Sequence, residues 1–223
     1  MARVLLVDDE PLTREILREY LSVDPNLEVV GEASDGQSAV SQATALKPDV
    51  ILMDMQMPVM DGVQATAAIH VKNPHVSILG LSTFSTDRYV VDLLRAGASG
   101  YLVKDALPEE IRAAIHKVLV GESVLSAEVT RHVVSGLERS KPAEVSPDKA
   151  LLETLSEKEL EVIRLLSRGM SNREMAEELF LTESTIKARF VRVMEKLGVR
   201  DRVQILVTAV ERGLVDLSPG NRS

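Results

Sequence analysis

DVILMDMQMPVMDG, residues 49–62, decides how this chain folds. An apolar run of strand length ends on an aspartate, Asp54, and Pro58 and Gly62 follow it. A continuous apolar run of that length is the pattern of a strand covered on both faces, as in a parallel sheet. A carboxylate buried at the end of such a strand is costly unless something pairs with it. Asp54 therefore either caps the next element or takes part in chemistry.

Outward from this stretch the same pattern repeats. ARVLLV (2–7), LEVVGEA (27–33), DVILMD (49–54), VSILGLS (76–82) and SGYLV (99–103) read as strands. Amphipathic stretches near 11–22, 36–46, 62–72, 87–96 and 108–120 separate and follow them. Pro11 and Pro108 suit a first helical turn, and Gly97 suits a left-handed helix end. Strand and helix alternating through short connections predict an α/β fold, a doubly wound (βα)5 domain over residues 1–121.

SAEVTRHVVSGL (126–137) has the period of a further short helix, and ERSKPAEVSPDKA (138–150) has the prolines and charges of a solvated linker. Residues 122–150 are accordingly read as a short helix and linker. The rest, residues 151–217, is helical throughout. Ser156 with Glu159 and Ser171 with Glu174 match the capping box, Thr182 and Asp201 match simpler caps, and Gly169, Gly198 and Gly213 fall at helix ends. An all-α four-helix domain is predicted.

Composition narrows the function. The 223 residues contain no cysteine, which removes disulfides, thiolate metal sites and cysteine nucleophiles. No apolar run reaches membrane-spanning length, and MARVLLVDDE turns acidic too early for a signal peptide, so a cytoplasmic protein with no membrane association is expected. The net charge is −8, but it is uneven: residues 151–223 carry 12 basic and 12 acidic side chains, so residues 1–150 hold the whole excess. Two electrostatic characters imply two tasks.

Open parallel sheets bind ligands beyond the carboxyl ends of their strands. Here the first strand runs into Asp8-Asp9-Glu10, the third ends at Asp54, the fourth at Ser82-Thr83, and Lys104 closely follows the fifth. Two carboxylates about 4 Å apart repel by roughly 4 kcal/mol at an effective dielectric of 20, so three demand a cation or a proton. Oxygen ligands suit Mg²⁺, Lys104 suits an anionic group, and Asp54 is then a nucleophile toward phosphorus. The alternative, that each acid merely caps the following helix, explains one acid better than it explains the set. Met53, Met55, Met57 and Met60 are read as packing rather than thioether ligands, and His70, His75, His116 and His132 have no ligand spacing.

In the second domain a helix at 172–180 meets another at 183–197 through a short turn, the grammar of a helix-turn-helix. Ile186, Phe190, Val193 and Leu197 form one buried stripe on the second helix. Ser184, Ala188 and Val191 lie opposite, flanked by Lys187, Arg189 and Arg192. Lys187, Arg189, Arg192, Lys196, Arg200 and Arg202 against Glu195 and Asp201 make residues 185–202 locally basic, a footprint for phosphate. Ser171, Asn172, Thr182, Ser184, Thr185, Lys187, Ala188, Arg189, Val191, Arg192 and Lys196 are the candidate DNA contacts. The alternative is a solvated basic helix of a bundle.

VLLVDDE, ILMDMQMPVMDG, LSTF and GYLVKD occur in order over residues 4–121, and this stretch resembles the receiver domain of two-component response regulators. The resemblance implies strand order 2-1-3-4-5 and phosphotransfer from a sensor histidine kinase to Asp54. It also implies Mg²⁺ bound by Asp8, Asp9, Asp54 and the Gln56 backbone carbonyl. Lys104 then contacts the phosphoryl group, and Ser82 and Tyr101 act as the switch pair. Residues 154–216, with LSEKELEVIRLLSRGMSNREMAEELFLTESTIK, resemble the LuxR-type helix-turn-helix domain, and the combination resembles the NarL/FixJ type of regulator. That implies promoter DNA read by 183–197 in the major groove, and homodimers formed partly through RVQILVTAVERG. IKARF departs from the family's common recognition-helix pattern, so no operator sequence carries over.

The expected function is a phosphorylation-gated transcription factor, an enzyme only toward its own phosphotransfer and dephosphorylation. Two alternatives compete. A phosphatase of the haloacid-dehalogenase kind needs a second acid where Gln56 stands, and a constitutive dimeric DNA binder would leave the acidic cluster without a task.

Overall fold

The computed structural model describes residues 1–82, 87–122, 124–139 and 147–214. Thr83 and Phe84 of the LSTF stretch, residues 140–146 of the expected linker and the chain past Leu214 lie outside them. The chain divides into two compact units, Met1–Val124 and Leu125–Ser223.

The first unit runs β1 (Ala2–Val7), α1 (Pro11–Ser22), β2 (Leu27–Ala33), α2 (Gly36–Leu46), β3 (Val50–Asp54), α3 (Gly62–Lys72), β4 (Ser77–Ser82), α4 (Asp87–Arg95), β5 (Gly100–Val103) and α5 (Pro108–Leu119). The five strands form one parallel sheet in the order β2-β1-β3-β4-β5. Alternation along each strand sorts side chains to two faces. Val4, Leu6, Val50, Leu52, Leu79 and Leu81 pack under α1 and α5, on Leu17, Leu21, Ile111 and Ile115. Leu5, Val7, Ile51, Met53 and Ile78 pack under α2 and α3, on Ala39, Val40, Ala65 and Ile69. Met53 and Met55 are buried, and Met57 and Met60 pack against the second cluster, so these methionines fill core space. Gly97 takes the left-handed φ of 107° expected at the end of α4.

The second unit contains α6 (Ala127–Arg139), α7 (Lys149–Thr154), α8 (Glu157–Ser167), α9 (Asn172–Glu178), α10 (Glu183–Leu197) and α11 (Arg202–Glu211). The expected caps form. Ser156 N–H donates to Glu159 at 2.7 Å, Ser171 N–H to Glu174 at 2.7 Å, and the Thr185 and Gln204 N–H groups donate to Thr182 and Asp201 at 3.2 and 2.9 Å. Gly169, Gly198 and Gly213 all have positive φ, closing their helices as the sequence implied.

Two features differ from the sequence reading. α7 stands in and just past the expected linker, capped by Asp148, whose carboxylate meets Arg212 at 3.0 Å and whose N–H donates to the Arg212 carbonyl at 3.0 Å. α6, read as a short helix beside the linker with no packing partner assigned, packs against α11 and α8. Its buried stripe of Thr130, Val133, Val134 and Leu137 follows helical spacing, and α11 is buried from Arg202 to Val207 and again at Ala209 and Val210. Composition misleads here because Pro142, Pro147 and the charges around them, between α6 and α7, dominate the reading of two short helices.

Candidate functional site

Strand register assembles the acidic cluster. Val4 pairs with Val50 and Leu6 with Leu52, so the continuing alternation brings Asp8 beside Asp54 on the same side of the sheet. Leu81 pairs with Leu102, and two residues on, past the end of β5, comes Lys104 on that side too. Asp8 is fully buried and Asp54 is 4% exposed. Lys104 Nζ lies 2.8 Å from Asp8 Oδ2 and 3.0 Å from Asp54 Oδ1. Carboxylate oxygens of Asp8, Asp9 and Asp54 lie within 4.8 Å of one another, with Asp9 exposed at the rim.

The electrostatics follow from burial and crowding. Burial raises the Asp54 pKa, Lys104 works against that, and the neighbouring charge of Asp8 adds to it. Burial pulls the Lys104 ammonium down, but its contacts with Asp8 and Asp54 outweigh this, and the net shift is upward. One ammonium between two buried carboxylates, with a third at the rim, leaves negative charge uncompensated. Asp8 Oδ2 is buried and shares the Lys104 ammonium with Asp54. An all-oxygen set crowded around one shared ammonium fits a hard divalent cation such as Mg²⁺.

The loop after Asp54 is built around close backbone approach. Gly62 N–H donates to the Met55 carbonyl at 3.1 Å, and a Cβ at Gly62 would fall on the Asp54 carbonyl oxygen. Gly62 is the residue that lets α3 start directly against the end of β3. Against burial, which raises the Asp54 pKa, the Gln56 backbone amide joins Lys104 in lowering it. Gly80 pairs with Tyr101 and Ser82 with Val103, so Ser82 and Tyr101 share the opposite side of the sheet from Asp54 and Lys104, each partly exposed.

In the second unit, α10 turns Ile186, Phe190 and Val193 fully inward, while Ser184, Lys187, Ala188, Val191 and Arg192 face solvent, Val191 at 49%. Ser171 and Thr182 sit at the N-caps of α9 and α10, and Thr185 shares a hydroxyl contact with Thr182 at 2.9 Å. Several residues of this set and of the basic window around it are engaged inside the protein. The Arg189 guanidinium turns toward Glu161 of α8 at 3.9 Å, and Lys196 meets Glu159 at 2.6 Å. Asn172 accepts from Arg202 at 2.6 Å, and Arg202 itself lies 4.2 Å over the Phe190 ring. Arg200 is held by Asp201 at 3.0 Å. The basic window read from the sequence is therefore partly compensated, because carboxylates of α8, remote in sequence, pack against it. Phe180, in the turn between α9 and α10, is 95% exposed at φ 53°, a feature the sequence did not announce.

Residues 4–116 match the family model described as the response regulator receiver domain, and residues 153–209 match that of bacterial regulatory proteins, luxR family. The uncharacterized transcriptional regulatory protein YxjL of Bacillus subtilis is 39% identical over 213 residues, covering 96% of this chain and 97% of that protein. The transcriptional regulatory protein LiaR of the same organism is 40% identical over 217 residues, covering 97% and 100%. Among solved structures, the response regulator ChrA of a heme-sensing two-component system is 34% identical, with a TM-score of 0.50 over 96% of this chain and 98% of that one. The chain belongs to the two-component response regulators that join a receiver domain to a LuxR-type helix-turn-helix domain. It is a transcriptional regulator rather than a conventional enzyme, and its two domains imply transcription gated by phosphorylation.

Proposed function

We propose that a sensor histidine kinase transfers a phosphoryl group to Asp54, and that this drives dimerisation and promoter binding through α10. One observation carries the reading: Asp8, Asp9, Asp54 and Lys104 converge on the carboxyl edge of the sheet, with Asp54 buried and its charge only partly offset. A carboxylate oxygen of Asp54 bonds to phosphorus while the bond from phosphorus to the kinase imidazole breaks, and the imidazole regains a proton from water. Lys104 binds a phosphoryl oxygen and loosens its hold on Asp54 as it does so. Asp8, Asp9 and Asp54, with the Gln56 carbonyl, would hold Mg²⁺, which supplies charge neutralisation at the phosphoryl oxygens.

The acyl phosphate adds anionic oxygens at the edge where Ser82 ends β4. Its hydroxyl moves toward them, and Tyr101, on the same side of the sheet, follows into the space released. Water later hydrolyses the acyl phosphate, which resets the switch. With duplex DNA as the target, the protein works in the cytoplasm. Among the described residues, no helix is long and apolar enough to cross a membrane.

The test is chemical. Incubation with an acyl phosphate donor and Mg²⁺ should add one phosphoryl group by intact mass, mapped to the peptide containing Asp54 and absent in Asp54→Asn. Equal labelling of that variant would remove Asp54 from the reaction.

A further inference from the structure

The side chain that the cation site needs most is held in place by residues outside it. Asp8 is fixed through its backbone and through Oδ1 by groups outside the cluster. Its N–H donates to the Ala33 carbonyl at 3.1 Å, and its Oδ1 accepts from the Glu10 N–H at 3.0 Å. Its carbonyl accepts from Arg14 Nη1 at 2.6 Å. Its Oδ2 turns toward Asp54 and meets the Lys104 ammonium at 2.8 Å.

Arg14 comes from α1, and its position is itself determined. The Nε of the guanidinium donates to Glu32 Oε2 on β2 at 3.1 Å. The other oxygen of Glu32 takes Arg18 at 2.9 and 2.6 Å, and the Gln42 side-chain amide donates to the Glu32 carbonyl. Arg14 is 15% exposed and Glu32 30%, so the pair is part of the packed edge rather than a surface ion pair. A planar guanidinium can serve Glu32 with one edge nitrogen and the Asp8 carbonyl with another, which a lysine ammonium on a flexible stem cannot reproduce.

We infer that Arg14, braced by Glu32, is a positioning residue for the divalent-cation site: it fixes the peptide plane after Asp8 and so aims Asp8 Oδ2 at the cation. The inference rests on reading the acidic cluster as a Mg²⁺ site. It also accounts for a placement that charge alone disfavours. A guanidinium bonded to the backbone of a metal ligand repels the metal, so its contribution must be geometric, with Glu32 and its bridge to Arg14 limiting the repulsion. Groups that orient ligands from outside are known to change metal affinity by about 10- to 100-fold.

Charge and geometry predict opposite signs, which makes the test decisive. Mg²⁺ binding to the full chain is measured by calorimetric titration for the parent, Arg14→Met and Arg14→Lys, beside the thermal midpoint of each without Mg²⁺. Both variants should bind Mg²⁺ about tenfold more weakly, with Lys rescuing little although it keeps the charge. If Arg14 acts only through its charge, Arg14→Met binds Mg²⁺ more tightly than the parent and Arg14→Lys matches it, and either result overturns the proposal. A fall in thermal midpoint with Mg²⁺ affinity unchanged would reduce Arg14 to a structural role and also overturns it. Arg14→Lys keeps the charge and most of the stem, so it carries the test should Arg14→Met fail to fold. A parent that binds no Mg²⁺, or an Asp54→Asn variant that binds it equally well, refutes the cation site itself. A parent that needs Asp54 but not Arg14 refutes this inference alone.

Discussion

Burial raises the Asp54 pKa, so the fold resists its ionisation, and that resistance is measurable. A carboxyl whose pKa is raised by folding stabilises the native state only while protonated. That contribution is complete below the unfolded-state pKa and disappears as pH rises through the folded value. At neutral pH the ionised Asp54 therefore subtracts from stability. Asp54→Asn, of equal shape and without charge, should melt at a higher temperature than the parent in Mg²⁺-free buffer at neutral pH. The two melting curves should converge as the pH falls through the carboxylate range. A parent that outlasts the variant at neutral pH would mean that the ion pair with Lys104 outweighs desolvation. Asp54, Asp8, Asp9 and Lys104 were legible in the sequence because each ends or closely follows an apolar strand. The Arg14–Glu32 brace was not, since it depends on α1 crossing β2, and nothing in the spacing of two surface-type residues marks that contact.

Helices and strands of strong period emerged with bounds within two residues of the reading, since a face buried against a sheet enforces its own pattern. α6 escaped its assignment because amphipathic period tells that a face is buried but not against what. If α6 is an integral part of the second unit, Leu137→Ala, at a fully buried position, should cost that unit about 2–5 kcal/mol. Scanning calorimetry of the full chain should then show the transition of the second unit falling while that of the first stays. An unchanged second transition would return α6 to the linker. On α10 the structure separates cations that the sequence could only count. Arg192→Ala should reduce the slope of log affinity for duplex DNA against log salt by about one. Arg189→Ala and Lys196→Ala should reduce it less, because Glu161 and Glu159 already face them. Equal losses from all three would show that those ion pairs open on DNA.

Taken whole, the molecule joins an acidic unit that concentrates negative charge at one sheet edge to a neutral unit that presents a partly basic helix. Charge asymmetry, the two periodicities and the ordered motifs made that division readable from the chain alone. The identity of the kinase, the operator and the regulated genes is not written in any local pattern, because it depends on surfaces of other molecules. The central claim is that a phosphoryl group on Asp54 changes what α10 can do. Its most direct test is duplex binding and dimer fraction of the full chain at fixed salt, with Mg²⁺ and beryllofluoride as the phosphoryl mimic, beside Asp54→Ala. Both quantities should rise together in the parent and stay at the unliganded level in the variant. A parent that binds DNA equally with and without the mimic would contradict the account and describe a constitutive DNA binder instead.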